Sequence, residues 1–391
     1  MSTHVVTERP IKILFAIPAL DHGGPDRVLF ELLRSLDRAR FTPSLMVSEP
    51  GGYYLERLPA DIPVEVLGGS TTFTRRYPVL RALRFVRRAA PDVVFATLRM
   101  NLTLGVVAPA FPRHTRLILR QAIQASTDFA ALIQQSGWKH RVSRRIAMAS
   151  LGRADAVICQ SEAMKADLRQ LVGDRDVFHV IANPIDVDAI THAARAPVAL
   201  RGRPALVSVG RLVHLKGYDL LLAAIDRLRT THPDLHLTIV GDGPERQRLE
   251  ALALKLDLAR HVTFLGFSPE PWPVVRAADL FVLGSRYEAF PNAALEALAC
   301  GTPVVLTDCP GANAQLVRPG FNGQLAPDAT AAGLARTIEV ALAERPGYDR
   351  ASIIADCGAR FGTAQITRRY EDVFASIATA PAARVAFSSI R

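Results

Sequence analysis

Two glutamates in the second half of the chain, Glu288 and Glu296, have a spacing that suits recognition of a sugar. Seven residues separate them; Glu288 stands in a loop and Glu296 on the helix predicted to follow it. A loop carboxylate can accept hydrogen bonds from sugar hydroxyls, and one on the helix can chelate a vicinal diol such as that of ribose. We expect Asn292 to cap this helix and Gly301 to end it. Paired carboxylates also serve glycoside hydrolysis, which this spacing alone leaves open.

Two cations, Arg211 and Lys216, lie in the loop Gly210–Gly217 between a predicted strand and a predicted helix. Arginine offers a planar fork to phosphate oxygens, and lysine offers a point charge. Lysine is scarce in this chain, with five residues against 42 arginines. A lysine in this loop is therefore less expected as an ordinary solvated surface residue. Because a hydrolase needs no phosphorylated donor, the two cations favour a phosphorylated substrate over glycoside hydrolysis.

Glycine-rich turns follow two further predicted strands, at Asp21–Pro25 and at Gly241–Pro244. Paired glycines such as Gly23 and Gly24 let a ligand approach the backbone, and the helix that follows directs its free N–H groups toward that ligand. The alternative is a tight turn that needs glycine for its own geometry. Neither turn has the G-x-G-x-x-G spacing, so a dinucleotide site is not favoured.

Strand-like apolar runs alternate with helical patterns over most of the chain. The predicted strands and helices hold the loops described above in place. Such alternation predicts parallel sheets covered by helices on both faces. Because ligands of open parallel sheets lie beyond the carboxyl ends of the strands, we expect a site between two such domains. The predicted organisation is two doubly wound α/β domains at 1–183 and 205–363, a linker at 184–204, a helix at 364–379 and a tail at 380–391.

Composition and charge exclude several classes of protein. The 391 residues are 49% apolar, which rules out a wholly disordered or fibrous chain. The four cysteines form no C-x-x-C pair, and neither a signal-peptide core nor an apolar run of membrane-spanning length is present, so we expect a cytoplasmic protein.

The net charge is +10, and residues 1–183 carry 25 basic and 16 acidic side chains, a net +9. We therefore expect any anionic partner to meet the first half.

Much of this basic excess lies in two segments, 74–90 and 138–145. On a helix, Arg81, Arg84 and Arg88 share one face and apolar residues share another. A basic amphipathic helix of this kind can rest on an anionic membrane surface, and a solvated face in an arginine-rich chain is the alternative. Nucleic acid is not expected, because no aromatic residues are interleaved with the charge.

The motifs occur in an order that resembles a known family. Gly23-Gly24, the loop Gly210–Gly217, the turn Gly241–Pro244 and the pair Glu288 and Glu296 are similar to those of the retaining glycosyltransferases of family 4. The run from Glu288 to Gly311 looks most like bacterial members that build surface polysaccharides. The resemblance implies the GT-B fold, in which two Rossmann-like domains face each other across a cleft. It also implies that the helix at 364–379 packs back on the first domain.

The resemblance assigns roles to the site residues. Arg211 and Lys216 hold the donor diphosphate, Glu288 holds the transferred sugar, and Glu296 takes the ribose hydroxyls; Glu288, Arg211 and Lys216 form the catalytic set. Backbone N–H groups of 290–292 support the sugar and phosphate, and the segment 265–267 lies against the base. The complete set of implied donor-binding residues is Gly24, Arg211, Lys216, Gly241, Phe267, Glu288, Phe290, Pro291, Asn292 and Glu296.

The implied activity is transfer of a hexose or N-acetylhexosamine from a nucleotide diphosphate sugar, with UDP favoured over GDP. The acceptor is a glycan or lipid-linked sugar held by the first domain. The expected location is the cytoplasm, and the basic segments of the first domain allow peripheral contact at the inner face of the plasma membrane as one interpretation of their charge. No metal cofactor is expected, because the two cations neutralise the diphosphate. The alternatives are a nucleotide-sugar epimerase or glycosyl phosphorylase of the same fold, and a non-catalytic protein that binds anionic lipid.

One segment after the strand predicted at 92–96 departs from the family pattern. Many relatives carry a histidine after the strand predicted at 92–96, and this chain has none there, so Arg99 and Asn101 become the acceptor-site candidates.

The Asp-x-Asp at Asp186–Asp188 resembles the metal-binding pair of a different glycosyltransferase fold. Because it follows Asn183-Pro184, we interpret it as a turn in the linker rather than a metal site.

Overall fold

The computed structural model describes residues 9–68, 77–123 and 138–380. The chain divides into two compact units, Met1–Pro184 with Ala364–Arg391 and Ile185–Thr363. Across the described ranges, none of the helices combines the length and the apolar character that a membrane span requires.

The first unit contains a sheet of seven parallel strands in the order β3-β2-β1-β4-β5-β6-β7. In chain order the strands are β1 Ile11–Ile17, β2 Phe41–Val47, β3 Val64–Val66, β4 Val93–Thr97, β5 Arg116–Arg120, β6 Ala156–Cys159 and β7 Phe178–Val180. The central strands are almost entirely buried: every residue of β4 and β5 is buried, and β1 is buried except at Lys12. This burial explains why the sequence shows continuous apolar runs instead of alternation.

Helices cover both faces of this sheet. They are α1 Gly24–Ser35, α2 Val79–Ala89, α3 Met100–Val107, α4 Trp138–Arg153, α5 Glu162–Val172 and the last helix of the chain, α14 Thr363–Thr379. The structure places α14 in the first unit, where Phe374 lies 5.9 Å from Phe15 and 5.6 Å from Phe95 between ring centroids. Aromatic packing of this kind holds the returning helix against strands that lie far away in sequence.

The second unit contains a sheet of six parallel strands in the order β10-β9-β8-β11-β12-β13. The strands are β8 Ala205–Val209, β9 His236–Val240, β10 Val262–Gly266, β11 Leu280–Leu283, β12 Val304–Thr307 and β13 Gly323–Ala326. The helices are α6 Val187–Ala193, α7 Tyr218–Leu228, α8 Arg246–Lys255, α9 Trp272–Ala277, α10 Asn292–Ala299, α11 Asn313–Leu316, α12 Ala331–Glu344 and α13 Arg350–Phe361.

The linker predicted at 184–204 is wrong over its first half, because α6 occupies it and belongs to the second unit. Asp186 begins this helix: its carboxylate accepts a hydrogen bond from the N–H of Ala189 at 2.9 Å. Ile190 is fully buried, and the hydroxyl of Thr191 donates to the carbonyl of Ala299 at 3.2 Å. The Asp-x-Asp sequence is therefore the start of a short packed helix, and not a turn in a linker.

The strand order reverses between β1 and β4 in the first sheet and between β8 and β11 in the second. At such a reversal the loops that leave the two neighbouring strands diverge, which opens a crevice at the carboxyl edge of the sheet. In the second unit this edge carries the loops after β8 and β11, which hold the predicted cations and Glu288. The fold thus gives the predicted site residues a common edge.

Candidate functional site

The loops after β11 and β12 are joined at Glu288. The N–H of Glu288 donates to the carbonyl of Pro310 at 3.2 Å, and the N–H of Ala312 donates back to the carbonyl of Glu288 at 3.0 Å. Between them, Gly311 has φ of +134°, and a Cβ there would lie 1.5 Å from the Glu288 carbonyl oxygen. Only glycine fits this close approach, so Gly311 is part of what positions Glu288.

The Glu288 side chain is buried, with 5% of its surface exposed. Its Oε1 accepts a hydrogen bond from Lys216 Nζ at 2.5 Å and another from Ser285 Oγ at 2.7 Å. A buried carboxylate needs both a counter-charge and hydrogen bonds, and this one has both. The structure therefore brings two of the three predicted catalytic residues into direct contact. Ser285, three residues before Glu288, is a partner that sequence reasoning did not single out.

Lys216 reaches Glu288 because the loops after β8 and β11 pack against each other. Lys216 ends a single 3-10 turn, His214–Lys216, and Gly217 follows with φ of +62°. A Cβ on Gly217 would lie 1.9 Å from the carbonyl oxygen of Gly284, so the two loops touch through backbone. The buried Tyr218 hydroxyl donates to the carbonyl of Gly210 at 3.1 Å, and burial raises the pKa of that phenol.

A bidentate ion pair braces the same loop from outside. Arg286 donates to the two carboxylate oxygens of Asp219 at 2.8 and 2.7 Å and to the carbonyl of His214 at 2.9 Å. The hydrogen bonds from Arg286 lower the pKa of Asp219 below its ordinary value. Asp219 lies in the first turn of α7, so this pair links the Glu288 loop to a rigid helix.

Replacing Asp219 by Asn is expected to destabilise the protein by about 1 kcal/mol at pH 7, because bidentate arginine pairs are strong but this one is partly exposed. The pKa of Asp219 is lower in the folded than in the unfolded chain. Its stabilisation is therefore present above the unfolded pKa of about 4 and is lost as the pH falls through the folded pKa. Urea unfolding of both proteins at pH 7 and near pH 3 measures this difference.

Asp226→Asn is the matched control for that experiment. Asp226 also lies on α7 and pairs with Arg229 at 3.0 Å, but as a single contact within the helix. We expect this control to cost less than about 0.5 kcal/mol. An equal loss in the two variants, or a loss in Asp219→Asn that does not shrink in acid, would contradict the bracing role.

Arg211 differs from Lys216 in its surroundings. Its side chain is exposed and makes no hydrogen bond or ion pair with any described residue. The backbone beneath it is tightly held, since a Cβ on Gly241 would lie 2.0 Å from the carbonyl oxygen of Gly210. The loops after β8 and β9 thus pack closely, and the side chain of Arg211 extends from them into solvent.

Glu296 lies in the second turn of α10 and is half-buried. Its Oε2 accepts a hydrogen bond from the indole N–H of Trp272 at 2.9 Å. Phe267, which was predicted to lie against the base, follows β10 and is 62% exposed. An exposed aromatic ring at the carboxyl edge of a sheet can pack against the flat face of a ligand.

The backbone support predicted from 290–292 needs correction. Pro291 has no N–H to donate, and the N–H of Asn292 is already bonded to the carbonyl of Phe290 at 3.0 Å. The expectation that Asn292 caps α10 is also wrong, because Pro291 occupies the cap position and no side-chain cap bond is formed. Phe290 is buried against Phe361, with ring centroids 6.1 Å apart, so its side chain supports the loop from below.

In the first unit, α1 begins at Gly24, so Gly24 lies in the first turn of the helix and not in the turn before it. The carboxylate of Asp26 accepts hydrogen bonds from the N–H groups of Asp21 at 3.2 Å and Gly23 at 3.0 Å. These two N–H groups are therefore engaged within the loop and not available to a ligand. Burial raises the pKa of Asp26, a residue that the sequence analysis did not single out.

The two acceptor-site candidates lie after β4, and both have protein partners. Arg99 forms an ion pair with Glu49. The amide nitrogen of Asn101 donates to the carbonyl of Arg120 at 3.0 Å, whereas its buried oxygen Oδ1 has no partner among the described residues. The positive charge of Arg99 is thus partly neutralised, and Asn101 keeps one unused hydrogen-bond acceptor.

The basic helix α2 places Arg81, Arg84 and Arg88 on its exposed face. Arg81 donates to the carbonyl of Leu67 at 2.6 Å, and Arg88 lies 3.3 Å from Glu65. Residues 74–76 and the side chains of 138–143 lie outside the described residues. Membrane contact stays a prediction, and co-sedimentation of the protein with anionic vesicles at low and high salt is the measurement that checks it.

Two family models match most of this chain. The family model described as Glycosyltransferase Family 4 matches residues 22–189, and the model described as Glycosyl transferases group 1 matches residues 192–355. A lipopolysaccharide core biosynthesis glycosyltransferase of Rhizobium meliloti, LpsE, is 33% identical over 191 residues, which is 49% of this chain and 54% of the relative. The 4-alpha-N-acetylgalactosaminyltransferase of Campylobacter jejuni that is named for a diphospho-undecaprenol substrate is 29% identical over 59% of this chain and 61% of the relative.

Two solved structures resemble this chain over 94% of its length. The structure of Anabaena HepE in complex with UDP and glucose has a TM-score of 0.76 at 22% identity, and the likeness covers 94% of this chain and all of that one. A lipopolysaccharide outer core galactosyltransferase, WaaB, has a TM-score of 0.74 at 19% identity, with coverage of 94% and 99%. At these identities the likeness shows the fold alone, while the curated sequence relatives above are matched over only about half to three fifths of their length. Together, the two family models and this fold show that the chain belongs to glycosyltransferase family 4 and has the GT-B fold.

Proposed function

We propose that this protein is a retaining glycosyltransferase. It transfers a hexose or N-acetylhexosamine from a nucleoside diphosphate sugar to a glycan or lipid-linked acceptor during cell-surface polysaccharide synthesis. The observation that carries this proposal is the buried Glu288–Lys216 contact of 2.5 Å at the carboxyl edge of the second sheet, with the exposed cation Arg211 on the same loop as Lys216. The relatives named for lipopolysaccharide synthesis and for a diphospho-undecaprenol substrate support the choice of acceptor class.

The charges at the site suit departure of a nucleoside diphosphate. Negative charge develops on the diphosphate as the glycosidic bond breaks, and cations held in place beforehand stabilise that charge better than water does. Arg211 is exposed and has no partner among residues 9–68, 77–123 and 138–380, so within that part of the chain it can engage phosphate oxygens without first breaking a protein contact. Lys216 has three donor hydrogens, of which Glu288 needs one, so it can contact the leaving group and Glu288 together.

Glu288 is suited to hold the transferred sugar. Its Oε1 is occupied by Lys216 and Ser285, and a carboxylate has further lone pairs to accept sugar hydroxyls. Because Gly311 and the backbone pairing fix the loop, the carboxylate is oriented before the substrate arrives, which reduces the entropic cost of alignment. We further propose that Arg211 and Lys216 neutralise the diphosphate without a metal cofactor, and that the nucleotide is UDP, as in the HepE complex.

The test is a panel of donors with and without acceptor. The full chain is incubated with UDP-glucose, UDP-galactose, UDP-N-acetylglucosamine or GDP-mannose, with and without EDTA and with lipid-linked oligosaccharide as acceptor. We expect release of UDP that requires acceptor, persists in EDTA, and gives a product whose anomeric configuration, read by NMR, matches that of the donor. Epimerised donor in the absence of acceptor would favour the epimerase alternative, and inversion at the anomeric carbon would contradict a retaining mechanism.

A further inference from the structure

Arg360, in the last turn of α13, makes contacts that the proposed transfer chemistry does not use. Its Nη1 donates to the carbonyl of Leu316 at 3.3 Å, and its Nη2 donates to the carbonyl of Gln315. These are the last two carbonyls of α11, where no further turn of helix supplies N–H groups to bond them. Leu316 is fully buried, so its carbonyl needs donors from other elements, and the amide of Asn322 supplies a second one at 3.0 Å.

Helix α11 follows directly on the backbone that pairs with Glu288. The N–H of Ala312, the residue before α11, donates to the carbonyl of Glu288 at 3.0 Å. Asn313, the first residue of α11, is fully buried, and its amide nitrogen donates to the carbonyl of Thr307 at 2.9 Å. The helix is thus held at its start by Asn313 and at its end by Arg360. Because a helix of four residues has little stability of its own, its position depends on such contacts.

Arg360 also supports the loop after β11, through two aromatic rings. Its guanidinium lies over the ring of Phe361, with 4.6 Å between Cζ and the ring centroid. Phe361 packs against Phe290, two residues after Glu288, with ring centroids 6.1 Å apart. The end of α13 is itself held, since the carbonyl of Phe361 accepts a hydrogen bond from the N–H of Ile185 at 2.9 Å. Arg360 therefore supports both of the loops that meet at Glu288.

A guanidinium is suited to this double role. Its N–H donors form a rigid planar fork that can bond two neighbouring carbonyls, while its flat face stacks on a ring. Asp356, one turn earlier on α13, accepts a hydrogen bond from Nη1 of Arg360 at 3.1 Å and orients the fork. Asp356 also pairs with Arg318, so the ion pair is common to two arginines, whereas the bonds to the end of α11 described above are made by Arg360.

We infer that Arg360 is a positioning residue that holds the Glu288 carboxylate where it meets the transferred sugar. The inference rests on the proposed function, in which Glu288 holds the sugar while Arg211 and Lys216 hold the diphosphate. Without the guanidinium, the end of α11 loses two bonds and the backbone bond between Ala312 and Glu288 loses its support. The diphosphate cations stand on the loop after β8, which has its own contacts. Loss of Arg360 should therefore slow sugar transfer more than it weakens nucleotide binding.

The test compares kcat for transfer with the dissociation constant of UDP, both on the full chain and with a donor from the panel above. We expect Arg360→Met, which keeps an apolar stem, to lower kcat about tenfold and to change the dissociation constant of UDP about twofold or less. Arg360→Lys keeps the charge beside Asp356, but an ammonium group cannot bond two carbonyls in one fixed geometry. We expect about a threefold lower kcat for it, and it carries the test if Arg360→Met does not fold.

Arg318→Met is the matched control. Arg318 also pairs with Asp356 and lies over a phenylalanine ring, that of Phe321 at 5.6 Å, but its side chain makes no bond to α11 within the described part of the chain. We expect this variant to keep the wild-type kcat and the wild-type affinity for UDP.

Three results would overturn the inference and leave the proposed function in place. They are a wild-type kcat in every folded Arg360 variant, an equal fall of kcat in Arg318→Met, and a loss of UDP affinity as large as the loss of kcat. A wild-type protein that transfers sugar from none of the donors would overturn the proposed function itself.

Discussion

Replacing Lys216 by Met is expected to lower the rate of sugar transfer by about 10²–10³-fold, the usual cost of removing one fixed group that stabilises transition-state charge. The substitution also leaves Glu288 buried without its counter-charge, which costs about 3 kcal/mol of stability. The two effects have different causes. Transfer needs a cation on the leaving group, whereas folding needs only that the buried carboxylate be neutralised. Initial rates with saturating donor and urea unfolding measure them separately.

The double variant Lys216→Met with Glu288→Gln separates the two effects further. Removing the charge from Glu288 should restore much of the lost stability, because no uncompensated carboxylate remains, while transfer stays as low as in the single variant. Lys255→Met, at an exposed position on α8, is the matched control and should change neither property measurably. Recovery of transfer in the double variant would show that Lys216 serves only to balance Glu288.

Replacing Gly311 by Ala is expected to destabilise the protein by about 2–4 kcal/mol and to abolish most of the transfer activity. A Cβ at this position would lie 1.5 Å from the Glu288 carbonyl oxygen, and φ of +134° is not open to an L-residue without strain. The backbone pairing of Glu288 must therefore break, which releases the carboxylate from its place beside Lys216. Thermal unfolding together with donor KM and kcat gives both readings.

Gly320→Ala is the control that distinguishes the strain of a positive φ from the steric overlap of a Cβ with a neighbouring carbonyl. Gly320 also has a positive φ, +75°, but nothing lies within 4 Å of a Cβ built on it. Its replacement should cost only the conformational strain, about 1 kcal/mol, and should leave transfer unchanged. Similar losses in Gly311→Ala and Gly320→Ala would mean that the loop contact with Glu288 is not what glycine supplies at position 311.

The predicted fold was right where the elements have strong local signals. Strands such as Ile11–Ile17 and Ala205–Val209 are apolar except for one residue each, because both faces of a parallel sheet are buried. Elements without such signals were not assigned: β13, Gly323–Ala326, has one large apolar side chain, and α6 is only seven residues long within a stretch rich in prolines and alanines. In these cases tertiary packing decides the structure, and a local pattern cannot show it.

In the candidate site, too, local sequence predicts some features and tertiary packing decides others. Residue types in the loops after β8 and β11 indicated which side chains carry chemistry, but not that Lys216 is bonded to Glu288, since that contact depends on β8 and β11 being neighbours in the sheet. The partners that hold the site residues could not be read from local sequence. Arg286 is bonded to Asp219 and Trp272 to Glu296, and each pair joins residues that lie far apart in sequence and that only the fold brings together.

The most direct test of the central claim, that the second unit binds a nucleoside diphosphate, is calorimetric titration of the full chain with UDP. Arg211 is exposed and unpaired among the described residues, so Arg211→Ala removes a cation without disturbing the fold; Arg227→Ala, exposed on α7, removes the same charge elsewhere. We predict that the wild type and Arg227→Ala bind UDP equally, and that Arg211→Ala binds it about 10–100-fold more weakly. Equal affinity in all three proteins, or no binding in any, would contradict the account.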